Sequence, residues 1–458
     1  MVAVTRSQLQ ELDPPQPFYN TGDTSSFAYK SALERWPVII TQIIDDVYKT
    51  VNTLQSPQNK DQIKEGQQII EAIAKIKYEE THDRALDPLT EDGGADIEDY
   101  NTELALLDQP TWFNVPWLYS ECYLYRKIRI LFTTSNHWQQ HDPFFRAKDE
   151  TFRSSGIAVE ELAVRYAKLA DDLHAHPYKS MSKEAQKLLF MEMSQIALWG
   201  NATDLSLLTS LSYDDLQKLQ GAEAIKASQK NVLVNDLDQV WALLGTLQGG
   251  RIDIVLDNAG FELFADLMLT MYLLDTGIAK QVVLHPKDFA WFVSDVTPPD
   301  IDHLFASLAD AESYFPNAKN KQVLQTLTRR WTQNYKDGKI QVHPDPFWTT
   351  AHPFTRLPSL APALLETLTK ADLVIFKGDL NYRKLVGDAT WPATTDFQTA
   401  IGHFAKSNVR ILSLRTCKAD VCVGLAEGLE EQLNEKHGKL AWRTNGKFAV
   451  VSFHDGKR

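Results

Sequence analysis

Acidic and amide residues follow two apolar runs in the second half of this 458-residue chain. Asp257 and Asn258 come directly after IDIVL, and Asp295 comes after WFVS. Carboxylate and amide oxygens are the ligands that hard divalent cations prefer in proteins. These three residues are therefore candidates for a metal site. Glu262, on the first turn of the helix expected next, is a candidate for substrate binding.

Basic and mixed polar residues follow two further apolar runs. One group comes after LVIFKG, which itself contains Lys377, and the other comes after ILSL. Lysine and arginine bind phosphate best because they donate charge-assisted hydrogen bonds to its oxygens. The candidate substrate-binding residues in these two groups are Asp379, Leu380, Asn381, Tyr382, Arg383, Arg415 and Lys418.

The charge of the whole chain sets a requirement for any anionic ligand. The chain has 47 Lys and Arg against 60 Asp and Glu, which gives a net charge of −13. Such a field does not attract nucleic acid, anionic membranes or an anionic substrate. A phosphorylated ligand would need cations concentrated at its site. One polar residue after a strand is usually a turn former or helix N-cap, but four clusters of complementary charge favour a site.

The elements that position these residues are predicted to form an α/β fold over residues 231–458. Short β-branched runs alternate there with helical runs such as 261–277 and 425–438, which favours a mostly parallel, Rossmann-like sheet with helices on both faces. Ligands bind such sheets beyond the carboxyl ends of the strands. The predicted strands are 231–235, 251–258, 281–286, 291–295, 339–344, 372–379, 409–416 and 447–453.

Residues 1–230 are predicted to form a mainly helical N-terminal region. Apolar residues recur there at helical spacing in four segments, and the acidic, turn-rich stretch 81–101 is interpreted as a loop. No Pro- or Ser-rich linker separates the two regions, so a single compact unit is expected. The predicted helices are 36–54, 61–80, 117–132 and 184–200.

The three cysteines indicate a reducing compartment. An odd, sparse set without a CxxC pair is neither a disulfide framework nor a structural zinc site. No apolar signal core is seen near the N-terminus, and no apolar run approaches the length of a membrane span. We expect a cytoplasmic or nucleocytoplasmic protein that binds a small phosphorylated metabolite and neither nucleic acid nor membrane. Cys417 is expected to be a packed thiol.

Several other polar residues are interpreted as structural. His285, His343 and His352 follow strands or lie in loops, without a metal-binding spacing such as HxxxH. Glu121 and Arg126 lie on an apolar, aromatic helical segment, where a buried polar network is expected.

Four motifs, in order, resemble the damage-control phosphatase family. They are LDNAGFELFADL (256–267), FVSDV (292–296), FKGDLNYRKL (376–385) and RTCK (415–418). RTCK matches the RTxK motif that marks the sugar-phosphate-hydrolysing subfamily. WLYSECYLYR (117–126) and LWGNATDLS (198–206) are similar to the N-terminal half of that family, so the resemblance covers nearly the whole chain.

The resemblance implies a helical N-terminal region joined to a Rossmann-like core. It implies a divalent metal (manganese, cobalt, nickel or magnesium) held by Asp257, Asn258 and Asp295. It also implies that substrate, in the class of fructose 1-phosphate, meets residues 379–383 and Lys418. With Lys418, the three metal-site residues make up the catalytic set expected here.

A mechanism follows as a hypothesis. A divalent metal at Asp257, Asn258 and Asp295 would supply a Lewis acid and lower the pKa of a water, while Lys418, with Arg383 or Arg415, would neutralise charge that develops on the phosphoryl oxygens. Asp257 or Asp295 would be a ligand and a general base, and Asn381 and Tyr382 would hydrogen-bond sugar hydroxyls.

Three alternatives remain open. A haloacid-dehalogenase-like phosphohydrolase forms an aspartyl-phosphate and needs a second acid two residues after the nucleophile, where Asp257 is followed by Ala259 and Asp253 by Val255. A carboxyl methyltransferase using S-adenosylmethionine usually has a glycine-rich turn after its first strand, whereas LQGGRID (247–253) places its glycines before a strand. The third alternative is a binding protein that has kept the fold without activity.

Overall fold

The computed structural model describes residues 11–200, 229–247 and 249–457. The last six residues of LWGNATDLS (201–206) lie outside these ranges. The helices of eight or more residues are α1 Trp36–Thr53, α2 Lys60–Thr81, α3 Ile97–Leu104, α4 Trp117–Thr133, α5 Phe145–Ser154, α6 Gly156–Ala175, α7 Lys183–Trp199, α8 Leu237–Leu244, α9 Phe261–Asp275, α10 Pro298–Ala309, α11 Lys321–Lys336, α12 Gly378–Leu385 and α13 Leu429–His437. Shorter helical turns are Phe27–Lys30, Ser31–Arg35, Tyr178–Ser180, Ala311–Tyr314, Pro346–Thr349, Phe354–Arg356, Leu357–Leu360, Pro362–Leu368, Phe397–Ala400, Gly402–Lys406 and Ala441–Thr444.

The predicted N-terminal helices are confirmed as α1, α2, α4 and α7. The loop prediction for 81–101 is wrong at its C-terminal end, where α3 begins at Ile97. Ile97, Tyr100 and Leu104 are buried at helical spacing, so they place one apolar face of α3 in the core despite the acidic residues around them. None of the described helices is long and apolar enough to cross a membrane.

The described strands form one seven-stranded sheet in the order β1-β7-β6-β5-β2-β3-β4. All neighbouring pairs are parallel except β6 and β7, so the prediction of a mostly parallel sheet is confirmed. The carboxyl ends of β6, β5, β2 and β3 therefore lie side by side. The strands are β1 Val232–Asn235, β2 Gly250–Val255, β3 Ala279–His285, β4 Ile340–Val342, β5 Leu373–Lys377, β6 Ile411–Thr416 and β7 Ala449–His454.

Both faces of the sheet are covered, as predicted for continuous apolar strands. In β5, Leu373 and Ile375 pack into a core shared with α7 and α9, whereas Val374 and Phe376 pack into a second core on the opposite face. Because successive side chains of a strand point to opposite faces, this alternation requires two apolar layers.

The predicted strand at 291–295 is wrong. These residues form a turn in which Phe292 and Val293 have positive φ angles of 42° and 69°. The apolar pattern has another cause, because Trp291 and Phe292 pack against Tyr125 of α4 at ring-centroid distances of 5.8 and 4.8 Å. The turn meets the end of β2 through an isolated β-bridge between Asn258 and Asp295.

The helical region and the α/β region share packing, as the lack of a linker predicts. One core joins helices α1 to α4 with Trp291, Leu380 and Ala419 from the second half of the chain. The carboxylate of Asp420 also accepts hydrogen bonds from the backbone N–H groups of Phe27 and Ala28. The helical region therefore forms one wall of any cavity at the carboxyl ends of the strands.

Candidate active site

A cavity of about 200 Å³ lies at the carboxyl ends of β2, β5 and β6, where α4 and the turn 291–295 close over the sheet. It brings together most of the residues that the sequence predicts for the site. The lining residues are Arg35, Trp117, Glu121, Asp257, Asn258, Phe292, Ser294, Asp295, Asp379, Leu380, Arg383 and Lys418.

Backbone hydrogen bonds hold the two predicted metal carboxylates together. The N–H of Val296 donates to the carbonyl of Asp257 at 2.8 Å, and the N–H of Ala259 donates to the carbonyl of Ser294 at 2.7 Å. These bonds fix the turn before Asp295 against the residues that follow β2. Asp257 and Asp295, which are 38 positions apart in the sequence, thus share one wall of the cavity.

The buried carboxylates of this wall have less neighbouring positive charge than they need to stay ionised as easily as in water. Asp257 and Asp295 are 6% and 2% exposed. Burial, with the charges of Glu262 and Asp295, holds the pKa of Asp257 well above its ordinary value. Burial also raises the pKa of Asp295 to about 6, although the ammonium of Lys287, 3.1 Å from its Oδ2, opposes the shift. Two buried carboxylates in one cavity are stabilised by a bound cation.

Asn258 lies between these carboxylates and a buried ion-pair network. Its Nδ2 donates to Asp257 Oδ2 at 2.7 Å and to Glu262 Oε2 at 2.8 Å, and its Oδ1 accepts from Ser294 Oγ at 2.5 Å. Lys377 Nζ lies 3.1 Å from Glu262 Oε1 and 2.7 Å from an oxygen of Asp266. Glu262 does not line the cavity, so its position behind Asn258 suits it to orient that amide.

The donor set fits the predicted divalent cation. Two carboxylates and one amide are hard oxygen donors, and a cation held by three such side chains completes its coordination with water or substrate oxygen. Neither histidine nor cysteine is among the described lining residues. In the described ranges no group of three or more His, Cys, Asp or Glu side chains is arranged to hold a metal. The candidate ligands are Asp257, Asn258 and Asp295.

Lys418 is positioned by its neighbours. Asp379 Oδ1 accepts a hydrogen bond from the backbone N–H of Lys418 at 3.0 Å and from Arg415 Nε at 2.7 Å. The Arg415 guanidinium also donates to the carbonyls of Ala419 and Val421. Arg415 is fully buried and does not line the cavity, so it holds the loop that carries Lys418.

Arg383 lines the cavity, and two carboxylates of the protein already neutralise its charge. Its guanidinium donates to Glu121 Oε2 and to Asp388 Oδ2, both at 2.8 Å, and lies over the ring of Trp117 at 3.6 Å. The sequence interpretation missed the contribution of Glu121 and Trp117 to the cavity. The one available signal was a glutamate in the middle of an apolar, aromatic helix.

Asn381 and Tyr382 are buried beneath the cavity and do not line it. The Asn381 amide donates to the carbonyls of Lys377 and Leu256, at 2.8 and 3.1 Å. The Tyr382 hydroxyl accepts from the N–H of Val423 at 3.0 Å. In this structure both side chains support the backbone around the site.

The remaining candidates lie away from the cavity lining. His285 is buried against Asp253, with Nε2 3.0 Å from the carboxylate. Arg126 forms the expected buried network, but with Asp92 and Asp96. Cys417 is a buried thiol with a raised pKa, caused by a hydrogen bond to Cys422 and by burial. His343 and His352 do not line the cavity either.

The chain is similar to known proteins over most of its length. Residues 31–433 match the model of the damage-control phosphatase ARMT1-like domain. The chain is 34% identical to the protein named damage-control phosphatase ARMT1 from Danio rerio, over 94% of this chain and 96% of that relative. It is 36% identical to the protein of the same name from Xenopus tropicalis, over 93% of this chain and 96% of that relative. The Homo sapiens protein of that name is 31% identical over 94% of this chain and 97% of its own.

A solved structure of a DUF89 family protein from Pyrococcus horikoshii aligns over 91% of this chain and 97% of its own. Its sequence identity to this chain is 14% and its TM-score is 0.37. The match of residues 31–433 and the full-length relatives decide the assignment. The chain belongs to the damage-control phosphatase ARMT1-like family and so has a phosphatase role in metabolite repair.

Proposed function

We propose that the protein is a metal-dependent phosphatase of small phosphorylated metabolites, with sugar phosphates such as fructose 1-phosphate as its substrate class. The observation that carries the proposal is the meeting of Asp257, Asp295 and Lys418 in one cavity. The carboxylates suit manganese, cobalt, nickel or magnesium, and the ammonium suits phosphate. The RTCK motif supports a sugar phosphate as substrate.

The proposal assigns a role to several residues of the cavity. Asp257, Asn258 and Asp295 would hold the cation, which when bound supplies a Lewis acid for a phosphoryl oxygen and lowers the pKa of a bound water. Lys418 binds phosphoryl oxygens and neutralises the charge that develops on them. Asp379 orients Lys418 through its backbone.

The size and chemistry of the cavity support a small substrate. A volume of about 200 Å³ holds a metabolite and not a folded macromolecule. The three cysteines are free and buried, which supports a reducing location such as the cytoplasm.

The direct test is phosphate release by the purified, chelator-stripped protein. Fructose 1-phosphate and other phosphosugars would be assayed with and without each of the four metals. We expect release that metal restores, that Asp257→Ala abolishes and that Lys418→Ala strongly reduces. Asp337→Ala, an exposed aspartate after α11, is the matched control and should retain full activity.

Three outcomes would contradict the proposal. Full metal-dependent release by Asp257→Ala would show that the site lies elsewhere. Trapping of a phosphoenzyme on an aspartate would support the aspartyl-phosphate alternative. Absence of release from the folded protein with every metal, together with calorimetric binding of S-adenosylmethionine, would support the methyltransferase alternative.

A further inference from the structure

The cavity contains three cationic side chains, and they differ in how their charge is offset. Arg383 is paired with Glu121 and Asp388. For Lys418 and Arg35, no carboxylate in the described part of the chain lies within ion-pair distance. Lys418 comes from the α/β region, whereas Arg35 comes from the helical region. The proposed mechanism uses Lys418 and leaves Arg35 without a role.

A local irregularity of the backbone places Arg35 at the cavity. Ser31–Arg35 forms a π-helical turn directly before α1. Such turns insert a residue into a helix, which changes the direction of the side chains that follow, and they are frequent at functional sites. Here Trp36 enters the core, where its Nε1 donates to Glu121 Oε1 at 3.4 Å. Arg35, one residue earlier, is exposed and lines the cavity.

Most hydrogen-bonding capacity of Arg35 is unused within the described residues. Its Nη1 donates to Ser31 Oγ at 3.2 Å, four residues earlier, and its guanidinium lies 5.6 Å from the ring centroid of Phe27. A guanidinium has five N–H donors in a planar arrangement. The contacts to Ser31 and Phe27 restrict the side chain while leaving donors for a ligand.

Depth in the cavity indicates which part of the substrate Arg35 would meet. Asp257 and Asp295 are buried, so the phosphoryl group must reach the deep end of the cavity. Arg35 is exposed and therefore lies at the mouth. A leaving group attached to a phosphoryl group at the deep end extends toward that mouth.

We propose that Arg35 is a specificity-determining residue that binds the oxygens of a polyhydroxylated leaving group, and this proposal rests on the proposed phosphatase function. Hydroxyl and ring oxygens of a sugar accept hydrogen bonds from a guanidinium. An aryl leaving group offers a single bridging oxygen and a ring. Arg35 therefore discriminates in favour of sugar phosphates over aryl phosphates.

The experiment compares fructose 1-phosphate with phenyl phosphate in the metal-loaded enzyme, with phosphate release as the readout for both. For Arg35→Met we expect kcat/KM on fructose 1-phosphate to fall about 10-fold or more, mainly through KM, with less than about 2-fold change on the aryl ester. Arg35→Lys should recover part of the loss because it keeps one donor group. The matched control is Arg329→Met, an exposed arginine on α11 outside the cavity, which should match wild type.

The outcomes separate this proposal from the proposed function. Equal losses on both substrates, or no loss on fructose 1-phosphate, would overturn the role of Arg35 and leave the phosphatase standing. Wild-type protein that hydrolyses neither ester would overturn the phosphatase and the role of Arg35 with it. Because Arg35 is exposed, the thermal unfolding midpoint of Arg35→Met should equal that of the wild-type protein. This measurement checks that the variant is folded.

Discussion

Gly378 lies so close to Asp257 that a β-carbon on the glycine would overlap the carboxylate oxygen Oδ2. Gly378 is the first residue of α12 and has a φ angle of +82°, which side-chain-bearing residues rarely adopt. The close approach brings Asp379 and Leu380, at the start of α12, to the same cavity as the two residues after β2.

Gly378→Ala should therefore remove most phosphatase activity and weaken metal binding, because the new methyl group must displace the Asp257 carboxylate. The backbone strain should cost about 1–2 kcal/mol in addition. Gly438→Ala is a close control, since Gly438 has a similar φ of +85° but no atom of the described residues lies within 4 Å of where its β-carbon would be. Activity assays and metal titration of both variants test the idea. Equal activity of the two would show that the approach to Asp257 does not matter.

Lys377 is the only cation that contacts both Glu262 and Asp266 in the described part of the chain, and all three are buried. Lys377→Met leaves two uncompensated carboxylates in the interior, so the free energy of unfolding should fall by about 3–5 kcal/mol. Urea denaturation measures the change. Lys370→Met removes an exposed ion pair with Glu366 and should change stability by less than about 0.5 kcal/mol. A Lys377→Met variant as stable as wild type would show that Lys377 does not compensate the charges of Glu262 and Asp266.

Lys418 and Arg415 belong to one motif but should respond differently to substitution. The Lys418 side chain makes no hydrogen bond or ion pair with the described residues, so Lys418→Met should leave stability unchanged while kcat/KM falls about 100-fold or more. Arg415→Lys loses donors to Asp379 and to two carbonyls, so stability should fall by about 2 kcal/mol. Thermal unfolding and phosphate release, measured on both variants, separate binding from positioning. A destabilised Lys418→Met variant would contradict this division.

Glu80 should make stability pH-dependent. It is buried on α2, neither carboxylate oxygen has a hydrogen-bond partner among the described residues, and burial raises its pKa from 4.5 to about 8. The folded state therefore keeps a proton that the unfolded state loses above about pH 4.5. This contribution to stability is complete below that pH and is lost as pH rises through 8.

We expect the free energy of unfolding to fall by roughly 2 kcal/mol or more between pH 5 and pH 8, and Glu80→Gln to remove most of that fall. Urea unfolding at three pH values across this range provides the measurement. Glu71→Gln, an exposed position on the same helix, should keep the wild-type pH dependence. The same fall in Glu80→Gln as in wild type would show that another group is responsible.

The eight-residue helix α12, residues 378–385, shows how much of the site a local pattern predicts. As a helix, with about 100° between successive residues, this segment places Asp379, Leu380 and Arg383 on one face and Asn381 and Tyr382 on others. The three that share a face line the cavity, and the other two are buried beneath it. Helical periodicity could therefore have separated the residues that line the cavity from those buried beneath it. Interpreting these residues only as the polar end of a strand overlooks that periodicity.

The alternation of strands and helices was sufficient to predict a mostly parallel sheet and the residues at the ends of β2, β5 and β6, because it places the carboxyl ends of parallel strands at one edge. The packing of the whole chain, which no local pattern predicts, decided that Arg35, Trp117 and Glu121 complete the cavity. It also decided that residues 291–295 form a turn and not a strand. These outcomes depend on how the helical region packs against the sheet, through contacts such as Tyr125 with Phe292, and packing between distant segments leaves no periodic signal in either one.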